Sequence, residues 1–322
     1  MSLLYACGGG GGGGDGSATT VAASVPIVVT TANAPDVAGA AVDVSTNTAG
    51  QGVSGVLTAS VGRNQPADTR LTDALIQSIR LAPRLLDNRT GGITAAAVTR
   101  FSNVPCDSGT FSGSINDADN NQDLSTGDSF IITTSNCNFS GTVMNGNMSI
   151  DNLVISGGFF NDIAPYSFSA RLQATNLSMT SAGSTLLMNG DMTLSESTSD
   201  GVTVTSGFSG NGIEIVTGDD TLKLLGYTLD EIENGSTGAY TFSLSGTISS
   251  TKIGGSITVA TDVAFSGVGD LDPVAGQATC TGAGNTSVTL IANADGTTVQ
   301  LLVDTNGDGT NDDTLTSTWA SL

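Results

Sequence analysis

Residues Cys106–Leu153 read CDSGTFSGSINDADNNQDLSTGDSFIITTSNCNFSGTVMNGNMSIDNL. The stretch holds two cysteines, a run of Asp, Asn and Ser at calcium-loop spacing, and alternating segments that the rest of the chain repeats. Apolar–polar alternation of period 2 marks strands with one buried face. It recurs at Tyr240, Phe242, Leu244, Gly246 and Ile248, at Tyr166, Phe168, Ala170 and Leu172, and at Met188, Gly190, Met192 and Leu194. Asn-Gly, Gly-Asp, Asp-Gly and Ser-Gly pairs punctuate these runs as turns do. VMNGNMSI at 143–150 is echoed by LMNGDMTL at 187–194, and FSGSI, FSGTV, FSGNGI and LSGTI recur. The pattern predicts a mainly β domain over 99–322, a large antiparallel meander of roughly twelve to fourteen strands. Glycines inside strands permit bulges, and so many strands should curl or close, giving a strongly curved or barrel-like sheet.

Upstream, residues 21–98 read as a short strand plus two short helices packed on that sheet. Val25–Thr30 is the strand. The first helix begins near Asn33, a candidate cap, with Pro35 and Asp36 in its first turn. Val37, Ala41 and Val44 form its apolar stripe. The second runs from about Asp68 to Ala82, with Leu71, Ala74, Leu75, Ser78 and Ile79 on one face, and Pro83 ends or kinks it. Arg70, Arg80, Arg84 and Arg89 cluster there. They can pair with an acidic sheet, face anionic headgroups, or simply stay solvated.

Residues 1–20 form a third region. Leu4-Tyr5-Ala6-Cys7 resembles a bacterial lipobox, in which the cysteine is diacylated, and Gly8 after it resembles the outer-membrane-destined kind. Only six residues precede Cys7, too few for a signal peptide, so the start reads as trimmed or misassigned, with a chain not exported in this form as the alternative. The Gly-rich run that follows is a flexible tether reaching about 20 Å. No apolar run attains the ~20 residues of a membrane-spanning helix.

The 322-residue chain carries 30 acids against 9 bases, a net charge of −21. From Leu172 onward there are seventeen acids and two bases. Such a field repels phosphate backbones, which argues against nucleic-acid partners; divalent cations are the natural counter-partner, and charge that serves solubility alone is the plain alternative. Histidine is absent, which excludes Ser-His-Asp and Cys-His catalysis and His-ligated zinc. Carboxylate chemistry survives, but the acid clusters Asp219-Asp220 and Asp230-Glu231 with Glu233 read as solvated charge near turns.

Two loops offer hard oxygens at calcium spacing. In the first, Asp117, Asp119, Asn121, Asp123, Ser125 and Asp128 occupy positions 1, 3, 5, 7, 9 and 12 of a twelve-residue loop. Asp128 stands where Glu is usual, and Gln122 where Gly is usual. The second supplies Asp304, Asn306, Asp308, Thr310 and Asp312, and resembles the first half of EF-hand, dockerin and thrombospondin-type loops. An Asx-rich hairpin turn is the plain alternative for each.

Cysteines stand at 7, 106, 137 and 280 without a CxxC pair. With Cys7 lipidated, Cys106 and Cys137 are the expected disulfide because they flank one hairpin, leaving Cys280 as a buried thiol or a competing partner.

Taken together, LLYAC, the poly-Gly tether, NAPDVAGAAV, DADNNQDLSTGD, NCNFSGTVMNGNMS and VDTNGDGTNDDTLTSTW resemble a group of uncharacterised proteobacterial lipoproteins. The resemblance covers most of the chain, implies an outer-membrane location and β architecture, and carries over no catalytic residue. The expected function is a non-enzymatic envelope lipoprotein, structural or binding, stabilised by calcium and meeting lipid or an envelope protein. A carrier of hydrophobic ligands and a carboxylate hydrolase are the alternatives. One Trp and four Tyr are too few for the aromatic girdles of a transmembrane barrel.

Overall fold

The computed structural model describes residues 24–45, 79 and 98–322, the last range without 122–123, 140, 182–183, 218–219 and 270. Its strands are β1 (Val98–Pro105), β2 (Ser108–Asn116), β3 (Ser129–Phe139), β4 (Thr142–Gly158), β5 (Ile163–Ser181), β6 (Ser184–Thr198) and β7 (Thr203–Thr217). They continue with β8 (Asp220–Asn234), β9 (Ala239–Ser250), β10 (Gly255–Val268), β11 (Ala275–Thr281), β12 (Ser287–Ala292), β13 (Thr298–Asp304) and β14 (Asp313–Thr318). Each pairs antiparallel with the next, giving one fourteen-stranded sheet in sequence order. The expected meander is therefore present. The sheet is not closed into a barrel: β1 and β14 are its two edges.

One pleat face is apolar from β2 to β13, joining Phe111, Met148, Leu172, Met192, Ile215, Leu224, Ile257 and Leu301 in a single buried cluster. Helix α1 (Ala34–Ser45) lies on this inner face against β9, β11, β12 and β13. Ala34, Val37, Ala38 and Ala41 are buried at the i, i+3, i+4, i+7 spacing of one helix face. Small side chains let the helix sit close. The cap differs from expectation. The amide oxygen of Asn33 accepts from the N–H of Thr30 (2.7 Å), and its amide nitrogen donates to the carbonyl of Val28 (3.0 Å). The segment before α1 is also not a ladder strand. It makes one parallel bridge, Pro26 with Ser256. Of the expected second helix only Ile79 is described; it is helical and fully buried in the same cluster.

Bulges cross the sheet as a seam and explain the repeated Met-Asn-Gly. In β3, Asn136 has φ 47°, and its N–H donates to the side-chain oxygen of Asn145 on β4 (2.6 Å). In β5, Asn176 has φ 49°, and its N–H donates to Asn189 on β6 (2.7 Å). The glycine after each of those asparagines, Gly146 (φ 116°) and Gly190 (φ 127°), faces the next strand so closely that a Cβ would strike the carbonyl of Asn176 or Gly212. Each repeat thus caps one neighbour's bulge and makes room at the other side. Bulges bend the strand and add twist.

Because the sheet is a strict meander, its turns divide between two rims. The connections 117–128, 159–162, 199–202, 235–238, 269–274 and 293–297 share one rim. The connections 251–254, 282–286 and 305–312 share the other, where the chain also enters. There the N–H of Ile27 donates to Ser256 (3.1 Å) and that of Ala283 to Ile27 (2.6 Å).

Candidate functional site

The loop between β2 and β3 is docked on β4 by backbone. The N–H of Gly127 donates to the carbonyl of Leu153 (2.8 Å), and the Thr126 hydroxyl bridges both polar groups of Ile155 (3.0 and 2.9 Å). Leu124 is buried beneath the loop. That anchoring brings the carboxylates of Asp117, Asp119 and Asp128 together, one oxygen from each lying within 4.8 Å of the others. Asp128 is fully buried. Its oxygens accept the N–H groups of Ala118 (2.8 Å) and Ser125 (2.7 Å), which pins both ends of the loop.

Asn121 and Ser125 attach to these acids. The Asn121 N–H reaches Asp117 (3.2 Å) and Asp119 (3.1 Å), and its side-chain nitrogen donates to Asp119 (2.9 Å). The Ser125 hydroxyl lies 3.2 Å from Asp119 and 3.3 Å from Asp128. Desolvation would raise the Asp119 carboxyl, but the Asn121 N–H and the Ser125 hydroxyl outweigh it and hold the group below the ordinary Asp range. Carboxylates brought this close repel one another when charged, and a hard cation with six to eight oxygen ligands relieves that repulsion. Asp123 and Cys7 lie outside the described residues.

The second loop uses its acids differently. Buried Asp304 accepts the N–H groups of Asn306 (3.2 Å), Gly307 (2.7 Å) and Gly309 (2.8 Å). Asp308 accepts the N–H of Thr310 (2.8 Å) and its hydroxyl. Asp312 accepts the Thr305 N–H (2.8 Å) and hydroxyl (2.7 Å) and the Asn306 amide (3.1 Å). Asp304 and Asp308 each close an Asx turn on the residue two ahead, and Asp312 reaches back across the loop to Thr305 and Asn306, so the loop is built by its side chains, and these three acids form no such trio.

Cys106 and Cys137 form a disulfide with Cα atoms 5.4 Å apart. It ties the base of the β2–β3 hairpin, at the opposite end from the acid loop. Cys280 is a buried free thiol, and burial, aided by Asp262, pushes it up to about 12.

One acid was misread from sequence. Glu231 is not turn charge. It lies in β8 with its side chain inward, 6% exposed, whereas neighbouring Ile232 points outward and is 47% exposed. The legible signal was the alternation Tyr227, Leu229, Glu231, Glu233, which carries the inner face through the acids. Across the sheet the register runs Phe168, Glu196, Ser206, Glu231, Phe242. The Tyr166 hydroxyl donates to Glu196 (2.6 Å).

No family model, curated protein or solved structure matches this chain.

Proposed function

We propose that this chain is a non-enzymatic, lipid-anchored outer-membrane protein with a structural or binding role, whose Asp117–Asp128 loop holds calcium. The observation that carries the calcium reading is the approach of Asp117, Asp119 and Asp128 to within 4.8 Å. The site sits at a hairpin tip whose base is locked by a disulfide, so binding stiffens the loop and triggers no rearrangement. The described chain starts at the far rim, with the Ser24 hydroxyl 2.6 Å from that of Ser249. A tether from Cys7 would therefore leave the acid loop pointing away from the membrane, free to meet an envelope partner.

A hydrophobic-ligand carrier needs open apolar space. The cavity beneath α1, lined by Ala41, Phe242, Leu244, Val259, Phe265 and Leu290 among others, holds about 10 Å³, room for one water and not for an acyl chain. That cavity is therefore not the seat of such a ligand. Calcium should raise the melting temperature. For a Kd of about 10⁻⁴ M, hundredfold excess contributes about 2.7 kcal/mol, several degrees. Asp128→Asn should abolish the gain. Identical melting curves of the parent chain in EGTA and in millimolar calcium would refute the site. Native mass spectrometry of envelope extracts would report the acyl groups and metal together.

A further inference from the structure

The edge strand β1 is built like an interior strand. In β3 and β5 a bulge at Ser135-Asn136 or Thr175-Asn176 breaks the register opposite the capping side chain of Asn145 or Asn189. β1 carries the same device. Its register breaks between Phe101 and Val104, Asn103 has φ 53°, and the Asn103 N–H donates to the Ser112 hydroxyl (2.9 Å).

In the interior strands the other side of the bulge is matched as well. Gly109 of β2 stands where a Cβ would strike the carbonyl of Asn136, and Gly146 of β4 does the same for Asn176. The inward residue after each asparagine, Cys137 or Leu177, is fully buried. Asn103 has no such glycine, because among the described residues nothing pairs with the free side of β1. Val104, the residue after it, shares the inner face with Phe111, yet it stays half-buried, as does Phe101.

The two edges also differ in how they are guarded. β14 has six residues and runs straight into the 3-10 turn Trp319–Ser321. β1 has eight residues, a single charge at Arg100, and its proline at the last position, Pro105. Lysines, inward-pointing charges and mid-strand prolines, which keep edges from pairing, are absent from it. Its length alone makes it a weak template; the shaped position at Asn103 and Val104 is what it adds. We infer that the free side of β1 takes up an extended segment of a separate polypeptide by strand addition, with a glycine opposite Asn103 and apolar side chains against Phe101 and Val104. Main-chain hydrogen bonds supply the affinity and the glycine supplies the selectivity. This gives the binding role proposed above a surface, and it does not depend on the calcium reading.

A labelled peptide copying residues 142–150, TVMNGNMSI, tests this, because its Gly146 already fits such a bulge in β5. Added to the full chain in EGTA, it should slow amide exchange over residues 98–105 by about tenfold or more. A G146V peptide should bind about tenfold more weakly, since its side chain meets the Asn103 carbonyl. In the chain, Val104→Lys places a charge on the inward edge position and should cut peptide uptake as strongly, while exchange in β3–β6 stays as in the parent. Unchanged exchange over 98–105, or equal binding of the G146V peptide, would overturn the inference. So would slowing confined to 129–139, since the peptide would then have replaced β4 beside β3. A V104K chain that takes up the peptide as the parent does also counts against it. If V104K loosens β3–β6, the comparison of the two peptides on the parent chain decides. With calcium withheld throughout, the edge and the acid loop fail separately.

Discussion

Gly146 and Asn145 are adjacent, yet each serves a different neighbouring strand. Asn145 satisfies the N–H of Asn136 on β3, while Gly146 admits the carbonyl of Asn176 on β5. Gly146→Ala puts a Cβ into backbone and burdens a φ of 116°, so it should destabilise by about 2–4 kcal/mol. Asn145→Ala leaves one donor unsatisfied and should cost about 1–2 kcal/mol. Urea unfolding midpoints check both, and equal costs would mean that the close approach is relieved by a backbone shift. The Met-Asn-Gly repeat was visible in the sequence, but its purpose was not. Its partners, Asn136 and Asn176, stand 9 and 31 residues from Asn145 and were not recognisable as bulges without the register.

Among the elements, the β12–β13 hairpin makes a pH-dependent contribution. Asp295 in its turn accepts from the Thr298 hydroxyl (2.6 Å) and from the N–H groups of Thr297 and Thr298 (2.8 Å each). These bonds, the Thr298 hydroxyl foremost, hold its carboxyl at about 2. A carboxyl lowered in the folded chain stabilises it above the unfolded value, about 3.9, and that contribution disappears as pH falls towards 2. Stability should therefore drop between about pH 4 and 2, and Asp295→Asn should flatten part of that limb while changing its slope little above pH 5. Denaturation midpoints across the range measure it, and an unchanged acid limb would mean the turn frays before the group titrates. Strand alternation was legible at this scale because it is local: two residues of period fix which side chains face inward. The Asn33 cap was misjudged because Thr30 and Val28 compete for its amide. Glu231 was assigned by its neighbours in a polar turn, whereas the pleat of β8 governs where it points. The acid loops looked alike in spacing, but tertiary support separates them. Leu124 and the contacts to β4 gather the first loop's acids, while Asp304, Asp308 and Asp312 are taken up by their own turns.

At the scale of the molecule, the sheet stays open, with strands shortening from 19 residues in β5 to 6 in β14. Short edges offer little for another chain to pair with, and closure depends on how twist accumulates over fourteen strands, which no local pattern encodes. Charge acts at this scale too. A net −21 disfavours the compact state through self-repulsion, and the screening length falls from about 30 Å at 0.01 M to about 10 Å at 0.1 M ionic strength. Monovalent salt should thus raise the melting temperature over that interval, in the parent chain and in D117N/D128N alike. Calcium added at constant ionic strength separates a site from general screening. It should stabilise the parent further and leave D117N/D128N where sodium chloride puts it. If both chains gain equally from calcium, the acid loop is one more part of a diffuse anionic surface, and the hairpin tip owes its order to Leu124, Thr126 and Asp128 alone.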